Sequence, residues 1–350
     1  MAVSNHAHSK PTNVITPQDH PYRAVVWWLL IMAGLVAMMV VIGGITRLTG
    51  SGLSMVEWRP LMGTLPPMNA AEWERVYDLY KQSPEYQTFN YGMDMAGFKM
   101  IFFWEYFHRL WGRLLGVAFA LPLVFFYATN RIPATFGPRL LTLLFLGGFQ
   151  GVVGWWMVKS GLTQDASVSQ YRLATHLSVA LVIFCLLIWT ALDIRNGRVC
   201  RPIGAHALAS LGLIAITIVA GALVAGMDAG LLYNEYPLMG EGLVPVEYGD
   251  YGAMDPLENP ASAQFHHRWL AALTVIAVIV LGRRARKQAA TRLAGTCVIA
   301  AVGLQFIIGI TTLLYGVPVA LGGLHQAGAV VLLGTMVWLL HRLGEAAPHA

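Results

Sequence analysis

Four histidines, His108, His176, His267 and His325, stand near the starts of alternate apolar segments, two in each half of the chain. An ionisable ring at the edge of hydrocarbon is costly to place and is a functional candidate by default. Two imidazoles facing each other across a helix bundle suit the axial positions of a haem iron. No carboxylate or thiolate set of the kind that holds zinc or a di-iron centre accompanies them. Glu105 lies three residues before His108, on the same helical face. A carboxylate one turn from such a ligand can accept a proton or stabilise developing positive charge. The matching residue before His267 is the neutral Gln264. This contrast predicts that one half carries out chemistry while the other holds a cofactor. The plainer reading is a set of hydrogen-bonding helix-end histidines, with Glu105 paired to Arg109 or Arg113.

Three arginines keep company with the histidines. Arg109 and Arg268 each follow one directly, and Arg172 precedes His176 by four residues. Guanidinium groups at a membrane interface can grip haem propionates bidentately, although snorkelling alone also places them there. His266 points about 100° away from its neighbour His267 on a helix and is not counted as a ligand. Gln150 and Gln305 read as helix-bridging amides. Gly43, Gly44, Gly50 and Gly52, with Gly221, Gly226 and Gly230, would admit a flat macrocycle or simply let helices pack closely.

The elements that must position these residues are membrane helices. Of 350 residues 56% are hydrophobic and only 12% charged, about half the charge of a soluble domain. The mean hydropathy is +0.57. Apolar runs long enough to cross a hydrocarbon core of about 30 Å occur near 25–45, 107–127, 139–159, 173–192, 206–226, 266–282, 292–314 and 321–341. They are continuously apolar rather than alternating, which excludes a barrel.

The runs fall into two similar sets. VIGGITRLTGSGLS (41–54) aligns with VAGALVAGMDAGLL (219–232), FHRLWG (107–112) with HHRWLA (266–271), and the regions of Gln150 and His176 with those of Gln305 and His325. Fixed-order self-similarity marks a repeat. The expected fold is all-α, with eight spanning helices in two pseudo-symmetric four-helix bundles. The expected organisation is a tail (1–24), a first bundle (25–192), a linker (193–205), a second bundle (206–341) and a short tail (342–350).

Charge sets the expected orientation. The connection between runs six and seven holds five basic residues in ten, whereas the segment 227–265 holds seven acids and no Lys or Arg. By the positive-inside rule both termini are cytoplasmic and the histidines lie near the outer surface. The net charge of +5 thus follows from topology and requires no nucleic-acid partner; membrane lipid is the partner that composition implies. Cys185, Cys200 and Cys297 form no close-spaced pair, so neither a disulfide framework nor a Cys metal site is expected. In the first outer loop (46–103), Asn69 and Glu72 resemble a capping box. Trp73, Val76, Tyr77 and Tyr80 follow as a helical stripe that lies on the membrane or packs within the loop.

Taken together, the blocks GGITRLTGSGLSMVEWRPLMGTLPP (43–67), FFWEYFHRLWGR (102–113), QGVVGWWMVKSGL (150–162), YRLATHLSVAL (171–181), FHHRWLA (265–271) and LGGLHQAGAVVL (321–332) resemble the haem A synthase family over nearly the whole chain. The resemblance implies oxidation of the C8 methyl of haem O to the formyl group of haem A, with water as oxygen source. It further implies haem b in the second half on His267 and His325, substrate haem O in the first half on His108 and His176, and Glu105 as the catalytic acid. The implied partners are haem O with the enzyme that makes it and an electron acceptor; contacts with terminal oxidase subunits and a homo-oligomeric state stay open. Outer-loop cysteine pairs, present in some members, are missing from this sequence. The alternatives are a b-type membrane cytochrome that only transfers electrons and a transporter with repeated halves.

Overall fold

The computed structural model describes residues 22–57, 65–163, 166–196, 198–199 and 201–345. Residues 1–21, 58–64, 164–165, 197, 200 (Cys200) and 346–350 lie outside this set. The helices are α1 (Arg23–Leu48), α2 (Ala70–Lys81), α3 (Pro84–Thr88), α4 (Met95–Ala128), α5 (Gly137–Thr163), α6 (Gln170–Asn196), α7 (Ala205–Gly226), α8 (Asp255–Glu258), α9 (Pro260–Ala285), α10 (Arg292–Leu314) and α11 (Val319–Gly344). Eight of them, α1, α4, α5, α6, α7, α9, α10 and α11, are long and apolar enough to cross a membrane. In lipid, a helix pairs every backbone polar group within the segment, so these runs can adopt little else. The protein is a multi-pass membrane protein of eight helices, as its hydropathy predicts.

One boundary differs from expectation. Hydropathy starts the second span at 107, but α4 starts at Met95, capped by the Asp94 side chain, which accepts from Gly97 N at 2.8 Å. Its 34 residues make a rod of about 50 Å, so the first turns project beyond the hydrocarbon. They are stabilised there by the outer loop. Asn69 caps α2 by accepting from Glu72 N at 2.9 Å. The stripe on α2 then packs on α4: Tyr80 stacks on Phe98 with centroids 5.1 Å apart, and Trp73 meets Phe102 edge-on at 5.0 Å. Tyr80, Tyr86, Phe98, Ile101 and Phe102 are buried together. The stripe thus packs against the start of α4.

Each half forms a closed ring of helices, α1–α4–α5–α6 and α7–α9–α10–α11. The histidine-bearing pairs, α4 with α6 and α9 with α11, occupy diagonals of these rings. The seam between halves is made by α1, α6, α7 and α11, and these helices supply most of the continuous apolar core, including Leu187, Leu333, Met336 and Leu340. Close approach of α11 to α1 depends on small residues: a Cβ on Gly322 would lie 2.6 Å from Leu48, and one on Gly44 would meet the Gln326 amide at 1.7 Å. After α1 and α7 the chain turns through Gly50 and Asp228, both left-handed with φ of +59° and +52°. The duplicated sequence keeps this turn even where glycine is lost, since Asp tolerates that region.

Polar groups close the seam at both ends. At the histidine end, Arg47 donates to Asp228 at 2.9 Å and Tyr171 to Glu258 at 3.0 Å. At the opposite end His341, fully buried, stands between two carboxylates. Its Nε2 is 3.1 Å from Asp193 and its Nδ1 3.0 Å from Glu345. Asp193 also accepts from Arg139, and Glu345 from Arg342 and Asn196. This chain of polar contacts therefore ties α5 and α6 to α11.

Candidate active site

Each candidate histidine rests against a glycine of the preceding helix in its ring. A Cβ on Gly221 would lie 2.8 Å from the His267 ring, on Gly309 2.8 Å from His325, on Gly154 2.9 Å from His176, and on Gly43 3.3 Å from His108. Any side chain at these four positions would crowd the imidazole, so the glycines make room for rings. Gly44, Gly226 and Gly230 have different neighbours, namely Gln326, Gln170 and Val317, and serve the packing of helices and loops.

The second pair is the better defined. His267 and His325 have ring centroids 6.4 Å apart with planes at 90°. Two imidazoles on opposite faces of one metal ion, each bonded at about 2 Å, place their centroids roughly 6 Å apart. The spacing fits the two axial positions of a haem iron. His267 Nδ1 is 3.0 Å from the Thr217 carbonyl, and donation from Nδ1 leaves Nε2 as the free lone pair that a metal needs. The Gln305 amide nitrogen donates to His325 O at 3.0 Å and lies 3.2 Å from its Nδ1. Gln150 repeats this arrangement at His176, with the same distances of 3.0 and 3.2 Å. In both amides Oε1 is buried with no hydrogen-bond partner among the described residues. Among the described residues no group of three or more His, Cys, Asp or Glu side chains that could hold a metal ion is found.

Beside the first pair, the buried Glu105 carboxylate is held by three donors. Oε2 accepts from Ser54 Oγ and from Met55 N, each at 2.7 Å, and Oε1 accepts from Arg109 at 2.5 Å. Arg109 also donates to Met55 O at 3.1 Å. Arg268 binds the equivalent loop of the second half through Tyr233 O, Glu235 O and Leu238 O, at 2.7–3.0 Å. There Gln264 replaces the acid and donates to Tyr233 O at 3.1 Å. Both arginines therefore anchor the loops that follow α1 and α7. Arg172 donates to Trp156 O at 2.7 Å and covers that indole at 4.7 Å. His266 turns away to Ser262 O and the Tyr248 hydroxyl.

Gly154, Gly309, Ser54 and Thr217 were not singled out by sequence reasoning. A usable signal existed for the glycines, because Gln150–Gly154 and Gln305–Gly309 repeat the same spacing. Ser54 and Thr217 gave none, since their contacts are set by loop and helix placement.

Comparison with known proteins agrees with this architecture. The sequence profile of the COX15-CtaA family, described as a cytochrome oxidase assembly protein, matches residues 26–337. A protein of Parvibaculum lavamentivorans named Heme A synthase is 48% identical over 341 residues, covering 95% of this chain and 98% of its own. Relatives of the same name from Rhodospirillum centenum and Caulobacter sp. (strain K31) are 47% and 48% identical, covering 92% and 91% of this chain and 88% and 97% of theirs. With paired histidines in duplicated helix rings and a profile match spanning nearly every one of those helices, the chain belongs to the COX15-CtaA family.

Proposed function

We propose that this protein is a haem A synthase, an oxidoreductase that converts the C8 methyl of haem O to a formyl group through hydroxylated intermediates. The relatives named Heme A synthase, matched along almost their full length, support the activity. The observation that carries the division of labour is the solitary acid: Glu105 beside the first histidine pair, Gln264 beside the second. In this reading His108 and His176 receive the iron of haem O, and Glu105 serves the reacting methyl. His267 and His325 hold haem b, which, when bound, supplies one-electron redox chemistry close to the substrate.

The protein's own task is to hold, orient and move protons. The glycine-seated rings would fix where the substrate iron sits; contacts to the periphery would set which edge faces Glu105. Each hydroxylation, R–CH3 plus water to R–CH2OH, gives up two electrons to the external acceptor and two protons, one from the broken C–H bond and one from the water. Glu105 would stabilise positive charge at the carbon and accept the proton from the adding water, the C–H proton passing to solvent. A second such round gives a gem-diol, and loss of water yields the aldehyde. Arg109, Arg172 and Arg268 are the candidate propionate contacts, with Arg109 and Arg268 also securing their loops. Electrons leave to an acceptor outside this chain. By the positive-inside rule the site faces the outer side of the bacterial inner membrane.

The decisive experiment is co-expression with a haem O source, followed by chromatography of the extracted haems. Formyl-bearing haem appearing only when the protein is present is the expected result. Haem b alone at both sites, unchanged by supplied haem O, would instead identify an electron-transferring cytochrome.

A further inference from the structure

The two halves provide an internal comparison for the surroundings of Glu105. In the first half the loop after α1 brings Ser54 and Met55 onto the carboxylate. Applying the alignment of 41–54 with 219–232, Ser54 corresponds to Leu232, just as Glu105 corresponds to Gln264. Hydroxyl and acid occur together, and both are missing from the half assigned to the cofactor. Arginine, by contrast, is kept in both halves, as Arg109 and Arg268, where it binds loop carbonyls. The loop anchor is thus common property, and the Ser–Glu contact is specific to the first site.

The donor count is informative. An ionised carboxylate offers about four lone-pair directions, two on each oxygen. Ser54 O–H and Met55 N–H occupy both directions of Oε2, while Arg109 takes one of Oε1. One direction on Oε1 is left. Ser54 is 1% exposed and Glu105 2%, so water does not compete freely for these positions. The Ser54 hydroxyl also lies 3.2 Å from Ser51 O; the shorter contact, to an anion, is the stronger.

We propose that Ser54 is a positioning residue which, with the Met55 amide, saturates Oε2 and leaves Oε1 as the oxygen of Glu105 that exchanges protons with the reacting site. The inference rests on the haem A synthase reading and adds to it the atom through which the acid works. It predicts that loss of the hydroxyl frees a direction on Oε2, lets the carboxylate rotate and lowers the rate without displacing substrate.

The test compares the full-length protein with Ser54→Ala, Ser54→Thr and Glu105→Gln. The readouts are the infrared carboxylate bands, haem O affinity, and the rates and pH profiles of hydroxylated and formyl product formation. For Ser54→Ala the expected results are a shift of the carboxylate stretch absent from Glu105→Gln, unchanged haem O binding, a product rate lower by about tenfold and a displaced pH profile. Ser54→Thr, which keeps the hydroxyl, should recover most of the rate and the original profile. Parallel loss of haem binding and folding in both Ser54 variants would overturn the proposal in favour of a structural role. Wild-type bands and rates in Ser54→Ala would overturn it as well. Those outcomes leave the functional reading intact; an active Glu105→Gln would remove the role of Glu105 and this inference with it, whereas only the absence of formyl-bearing haem from the wild-type co-expression would remove the haem A synthase reading.

Discussion

At the scale of single residues, the chemistry depends on what is absent from four positions as much as on what is present at four others. The imidazoles fit because Gly43, Gly154, Gly221 and Gly309 carry no Cβ. Gly309→Ala would place a carbon 2.8 Å from the His325 ring, closer than non-bonded carbons tolerate. Haem b affinity should fall about 10–100-fold, the range seen when supports of a metal ligand are lost, and the low-spin absorption should go with it. Gly303, with nothing within 4 Å of its Cβ position, is the matched control, and Gly303→Ala should keep normal pigment. Glu105→Gln copies the second half's own solution. It should leave haem bound while product formation falls by about 10²–10⁴-fold, measured by chromatography of extracted haems. Near-normal conversion would remove the assigned role.

At the scale of elements, two local assemblies can be probed apart from the haem chemistry. The first is the clasp linking α5, α6 and α11 through Asp193 and His341. Deleting Asp193 leaves the Arg139 and His341 donors without their shared acceptor, at a cost of about 1–3 kcal/mol. Asp193→Ala should therefore lower the thermal midpoint markedly. A double variant with His341→Ala should lose less than the sum of the single changes, because the partners are coupled. The second assembly is the outer cap made by α2, α3 and the projecting end of α4. Burial raises the Glu85 carboxyl to about 7, the Tyr80 hydroxyl bond opposes the rise, the Glu105 charge adds to it, and Arg47 opposes it. Its folded pKa thus exceeds the ordinary 4.5, so the folded cap retains a proton that the unfolded chain releases. Cap stability should accordingly decrease as pH climbs from about 4.5 to about 7 and level off above, a change of about 3 kcal/mol. Hydrogen exchange across residues 70–90 would register the slope, and Glu85→Gln should abolish it.

For the whole molecule, duplication places two equivalent sites side by side and then lets them diverge. The rings share a seam of four helices and one continuous core, so the second site has a fixed place relative to the first. Both histidine pairs sit at one end, while Arg283, Arg284, Arg286 and Lys287 lie at the end of α9 opposite to His267. In the orientation proposed from the positive-inside rule, that basic end lies in the cytoplasm. A cysteine introduced at exposed Leu243 should then react with an impermeant thiol reagent in intact cells, and one at exposed Gln288 only after permeabilisation. The reverse pattern would turn the molecule over and with it the side from which substrate arrives.

Much of this was legible in the chain before any coordinates. Length and hydropathy determined eight helices, because lipid leaves the backbone no other way to pair its polar groups. The repeat determined that histidines come in twos, and the exchange of Glu105 for Gln264 marked the half with an acid. What tertiary structure alone decided is contact across sequence: the 6.4 Å between His267 and His325, the seating of each ring on a glycine of another helix, and the capture of Glu105 by Ser54 from a loop 51 residues earlier. It also moved the start of α4 out to Met95, since aromatic packing with α2 stabilises turns that hydropathy assigns to the loop. Hydropathy reports what each segment exchanges with water or lipid. Which side chains meet is settled by how the helices pack, and no local stretch of sequence contains that information.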